Sequence, residues 1–228
     1  HHLSHHHSGG DHLSLTTGDD ITILDALRAL PQGAKLRATR APGGAHSEIE
    51  ILWPAMERQL RVGDVAMLAI RITNSETKGR ALKVEPTLLR VLCYNFTTAW
   101  SEGLEEEMTL RHVGDLSAKL PRLIKRAHEA IEPFVHAFAD AFRNPMPQAF
   151  SRGEILAKCK RAFELPEFVV SRAGALWDAD GEKTAGNTLA GVVNALTRAS
   201  QEQGIEGASV TERAAGKLVT VGWDAILN

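Results

Sequence analysis

The side chains best suited to chemistry in this chain are cations, and they crowd into one stretch. Between Arg28 and Arg90 stand eleven Lys and Arg residues against six Asp and Glu, a surplus of five, whereas the whole chain carries a formal net charge of −2. A molecule near neutrality is no polycation, so any nucleic-acid surface on it must be local. Arg71, Lys78, Arg80 and Lys83 bracket a polar segment, Asn74–Gly79. Long cations in that pattern suit the phosphate oxygens of a single strand, which they would position without reading its sequence. Arg111, followed by His112, is a fifth candidate. The expected partner is single-stranded DNA, and the plain alternative is an ordinary solvated sheet face.

Other reactive groups give less. His112 has no nucleophile near it in sequence. Glu102, Glu105, Glu106 and Glu107 form an acidic cluster that reads as a solvated face or loop. The six histidines between His1 and His12 lie among Ser and Gly and read as a flexible leader or tag over 1–18 rather than a metal tract. Asp178–Glu182 opens like a calcium loop, but its twelfth position is Leu189, so it reads as a turn. Phosphate-binding glycine loops, a nucleophile elbow and paired metal-ligand motifs are missing from the sequence. No catalytic residue, metal or cofactor is therefore assigned, and an enzyme is the less favoured reading. Cys93 and Cys159 stand far apart, which suits a reducing cytoplasm, and no apolar run reaches the roughly 18 residues of a membrane span.

The elements that would carry these groups follow from periodicity. Val65–Asn74 alternates, with Ala66, Leu68, Ile70 and Ile72 on one side and Val65, Met67, Ala69 and Arg71 on the other. Residues 75–80 form a turn, and Ala81–Cys93 returns as an antiparallel strand, edged or bulged at Pro86, which has no N–H to donate. Upstream, Asp20 caps a helix over Ile21–Leu30, and strands over Ala34–Arg40 and Glu48–Trp53 make a second hairpin. The four strands should pair antiparallel because their connections are short. Downstream the period becomes helical: Pro121–Arg143 with a kink at Pro133, a capping box at Ser151 opening a helix to Phe163, then Pro166–Trp177, Thr188–Ser200 and a second box at Ser209–Glu212 opening a helix to Val221. The expected class is α+β: a helix and antiparallel hairpins over 19–145, then a helical region over 146–228.

The run GDV-x(4)-IRITNSETKGRALKVEP-x(3)-RVLCYN, with Arg111–His112 and the segment Thr188–Val219, resembles the DUF932 family of phage- and plasmid-type proteins over roughly Val62 to Val219. Phe96 stands where that pattern has glycine. The family brings no established active site. The order helix, hairpins, helix also resembles single-strand annealing proteins of the Rad52 type, an analogy of fold alone. Together these lead to an expected single-stranded DNA-binding or annealing protein in recombination, acting as a homo-oligomer. An enzyme of unrecognised type and a structural or partner-binding protein with its interface at Pro133 are the alternatives.

Overall fold

The computed structural model describes residues 33–40, 46–61, 63–75, 81–91, 95–104, 109–110, 116–179, 185–203 and 205–228. The helix expected over Ile21–Leu30 and the turn residues 76–80 lie outside them. Within them, alternation becomes an antiparallel sheet of order β1 (Lys35–Arg40), β2 (His46–Arg61), β3 (Asp64–Ser75), β4 (Leu82–Arg90) and β5 (Asn95–Thr98). A short β6 (Thr109–Leu110) pairs with the start of β4. The expected β3–β4 hairpin is present, with Ile72 opposite Val84, Ile70 opposite Pro86 and Leu68 opposite Leu88. The carbonyl of Pro86 accepts from the Ala99 N–H, away from β3. The N and O of one strand residue face the same side, so the missing proline N–H costs the β3–β4 ladder nothing.

β2 is longer than the strand read from the sequence, and β5 and β6 are additional to it. β2 runs on through Pro54 because its register jumps between Trp53 and Glu57, so that Pro54–Met56 bulge out of the ladder. β5 begins at Asn95, so Phe96 occupies a strand position.

The two faces of the sheet differ in chemistry. Ile49, Ile51, Trp53, Leu68, Ile70, Ile72, Val84 and Leu88 share one face and are all buried. Helix α1 (Leu116–Ala141) covers it with Leu120, Ile124, Ala127, Ile131 and Phe138. His128 meets Trp53 edge-on at 6.3 Å between ring centroids, and Arg58 bonds Glu132. At the far end of this face Asp64 accepts from Arg90 Nε at 2.7 and 2.9 Å, with Phe142 capping the guanidinium at 5.5 Å. α1 is a single 26-residue helix that contains both Pro121 and Pro133.

The C-terminal helices are α2 (Arg152–Phe163), α3 (Glu167–Ala179), α4 (Leu189–Ser200), α5 (Ile205–Val221) and α6 (Asp224–Leu227). Ser151 caps α2 with both reciprocal bonds to Glu154, and Thr188 caps α4. Asp178 stands in the last turn of α3 and accepts from Arg152 at 3.0 Å, while Asp180–Glu182 of the expected turn lie outside the described residues. The second capping box is not one: α5 begins at Ile205, and Ser209–Glu212 lie inside it. Thr211 instead bonds the Gly207 carbonyl and the Gln203 side chain, and Glu212 turns inward.

α5 lies on the sheet face opposite α1, and it approaches so closely that only glycine fits at 216. A Cβ there would stand 1.8 Å from the Thr98 carbonyl oxygen. Gly153, in the first turn of α2, has nothing closer than 4.0 Å. Gly216→Ala should therefore cost at least about 1–3 kcal/mol by forcing α5 off β5. Gly153→Ala should be neutral or stabilise by up to about 1 kcal/mol. Urea unfolding of the two variants checks the contrast, and equal effects would refute this packing.

Candidate functional site: an aromatic, cation-lined cleft beside a buried charge cluster

The face under α5 carries charge where the α1 face carries aliphatic groups. In register across the strands stand Glu50, Arg71 and Glu85, alternating in sign. Arg71 is only 4% exposed. Its Nη1 donates to Glu212 of α5, its Nε lies 3.4 Å from Glu48 and its Nη2 3.5 Å from Glu50, and the guanidinium stacks 4.8 Å over Phe96. The next residue of α5 completes the arrangement, with Arg213 Nε 3.5 Å from Glu85 Oε1. The helix acid thus meets the strand base, and the helix base meets the strand acid.

These contacts shift protonation. Burial opposes the Arg71 charge, but Glu212 and Glu48 outweigh it and hold the guanidinium charged above its ordinary range. Burial pushes the Glu212 carboxyl up to about 7, with Glu48 and Glu85 adding to the rise and Arg71 opposing it. Burial likewise pushes the Cys159 thiol up to about 12, which makes it an inert core residue.

Beside this cluster the sheet and α5 part to form a cleft of about 340 Å³. One wall is β4 from Lys83 to Pro86, between the stretches paired with β6 and with β5. The other wall is one face of α5, with Val210, Arg213, Ala214 and Lys217 at helical spacing i, i+3, i+4 and i+7. Thr98, Ala99, Trp100, Leu104 and Thr109 line the rest, with Phe163. Trp100 is held by its carbonyl, which accepts from Thr220 at 2.9 Å, and Lys217 Nζ sits 5.4 Å over its ring. Three cations and one carboxylate thus surround an indole and an apolar floor, the composition of a site for an anionic ligand with a flat ring.

The structure redistributes the candidates read from the sequence. Arg71 is corrected: it is buried among carboxylates, so it organises the interior and leaves the phosphate-contacting set. The surplus of cations on outward faces is also smaller than expected, since Arg90 is buried on Asp64 and Arg58 and Arg61 face Glu132 and Asp64. Lys83 lines the cleft. Lys78, Arg80 and Arg111 lie outside the described residues, as do His112, Cys93 and Glu105–Glu107. Leu82 and Leu110 are register partners in β4 and β6. Trp100, Arg213 and Lys217 were missed. The α5 spacing held the signal, but it was obscured by reading Ser209–Glu212 as a cap.

No protein-family model matches the chain, and no curated protein or solved structure is significantly similar to it. Among the described residues no group of His, Cys, Asp and Glu could hold a metal ion, and no helix is long and apolar enough to cross a membrane.

Removing one member of a buried ion pair strands the other. Arg71→Met should cost about 3–5 kcal/mol, and Arg71→Met with Glu212→Met should recover part of that loss. A double variant no more stable than the single would contradict the pairing. Glu212 also implies a pH dependence. The folded protein keeps the Glu212 proton from about 4.5 to about 7, where the unfolded chain has lost it. This group's contribution is therefore full below about 4.5 and declines as pH rises toward 7. Glu212→Gln should remove that part of the decline in urea unfolding measured across this pH range.

Proposed function

We propose that the chain binds single-stranded nucleic acid, with one base stacked on Trp100 and flanking phosphates drawn to Lys83, Arg213 and Lys217. The observation that carries this reading is the exposed part of an indole set in a cleft with three cations. Stacking of a base on an aromatic side chain contributes about 1–3 kcal/mol and tolerates any sequence, while cations along the backbone gain from counterion release. Lys78, Arg80 and Arg111, the other cations read from the sequence, belong to the same proposed set of phosphate contacts. Strand annealing in phage- or plasmid-type recombination, with the protein as a homo-oligomer, is the setting in which this activity fits. An antiparallel meander followed by a long helix across its face supports that setting.

Fluorescence anisotropy with a labelled single strand tests the reading. Affinity should fall steeply between about 50 and 200 mM salt. Trp100→Ala should weaken binding by about 1–3 kcal/mol at unchanged salt slope, whereas Lys83→Ala with Lys217→Ala should flatten the slope. Lys78→Ala with Arg80→Ala should act as the lysine pair does, alike for all sequences. Absence of binding at the lowest salt would overturn the proposal.

A further inference from the structure

The cleft holds two polar groups whose hydrogen-bonding capacity nothing in the protein satisfies. Glu85 lines it and is 6% exposed; its Oε1 faces Arg213, while its Oε2 is buried with no hydrogen-bond partner. Thr98 lines it too, is 3% exposed, and its hydroxyl is also without a partner. The two are diagonal neighbours on one sheet face, since Thr98 is the register partner of Thr87. Continuing past the Ala99–Pro86 bond brings Trp100 opposite Glu85. Buried polar groups are almost always paired, so an unpaired acceptor beside an unpaired hydroxyl in an open cleft points to a ligand that supplies the partners.

We propose that Glu85 and Thr98 read the edge of the base stacked on Trp100, and that the cleft selects a base bearing an exocyclic amino group, cytosine above all, over uracil or thymine. The inference rests on the nucleic-acid reading given above and adds to it a base preference. A carboxylate only accepts, so it takes the N4 amino group of cytosine, and the hydroxyl then donates to the adjacent N3. Uracil places a carbonyl oxygen at the same position. Two acceptors would then face each other across a desolvated contact, and Glu85 Oε2 would remain without a hydrogen-bond donor.

Oligodeoxycytidine and oligodeoxyuridine of about 20 nucleotides carry the same backbone charge and differ at this edge, so their ratio of affinities isolates the base contact from the phosphate contacts. By anisotropy at pH 7.5 and constant salt, the deoxycytidine strand should bind about tenfold tighter or more. Glu85→Gln, whose amide can accept or donate, should bring the ratio to within about twofold while leaving the salt slope in place. Equal binding of the two strands by the unaltered protein overturns the assignment and leaves the nucleic-acid reading standing. A preference retained in a folded Glu85→Gln variant also overturns it. Binding of neither strand overturns both. The ratio in the unaltered protein is decisive should the variant not fold.

Discussion

A guanidinium buried in the middle of a sheet must be surrounded by acceptors, and Arg71 sets that requirement for half of this molecule. It stands on β3, with Glu50 and Glu85 opposite it on the neighbouring strands. Its strongest partner, Glu212, comes from α5, about 140 residues later in the chain. Pairs of this kind rarely add much net stability relative to an apolar contact, but a broken one is costly, so they specify an arrangement. Here the arrangement is the docking of α5. With Arg213 on Glu85, the helix can satisfy both strand charges in only one register. Gly216 then lets its backbone close onto Thr98.

The cleft follows from that docking. α5 is pinned to the sheet at Arg71 and at Thr98, and the face it turns toward β4 carries Val210, Arg213 and Lys217. On its edge away from β3, β4 has no described register partner in β5 or β6 from Val84 to Pro86, between the stretches taken by β6 and β5, and Pro86 suits such an edge because it has no N–H to leave unpaired there. The same geometry that buries Arg71 therefore leaves Lys83, Glu85 and Trp100 around an opening. Charge neutralised inside and charge presented outside are two sides of one helix–sheet contact.

Much of this was legible in the sequence, and the failures have physical causes. The aliphatic alternation of β3 and β4 can be buried in only one register, so the central hairpin and its face followed from the residues. The cap at Ser151 is a local device and was legible for that reason. Arg71 was misread because alternation tells which side a residue faces but not whether that side is covered, and the cover comes from distant α5. Glu212 was misread because Ser-x-x-Glu is satisfied equally by a helix start and by a mid-helix glutamate bonded elsewhere. Trp100, in a short irregular stretch after β5, has no periodicity to mark it; only tertiary packing brings it to Lys217.

Photocrosslinking tests most directly whether the opening made by α5 and β4 is where a single strand lies. A deoxycytidine strand bearing 5-iododeoxycytidine, irradiated in complex with the protein and mapped by mass spectrometry, should attach to the peptides containing Trp100 and residues 210–217. The yield should fall as salt rises. Crosslinks confined to α2, α3 or the exposed side of α1, with none at Trp100 or α5, would place the strand elsewhere and contradict the account.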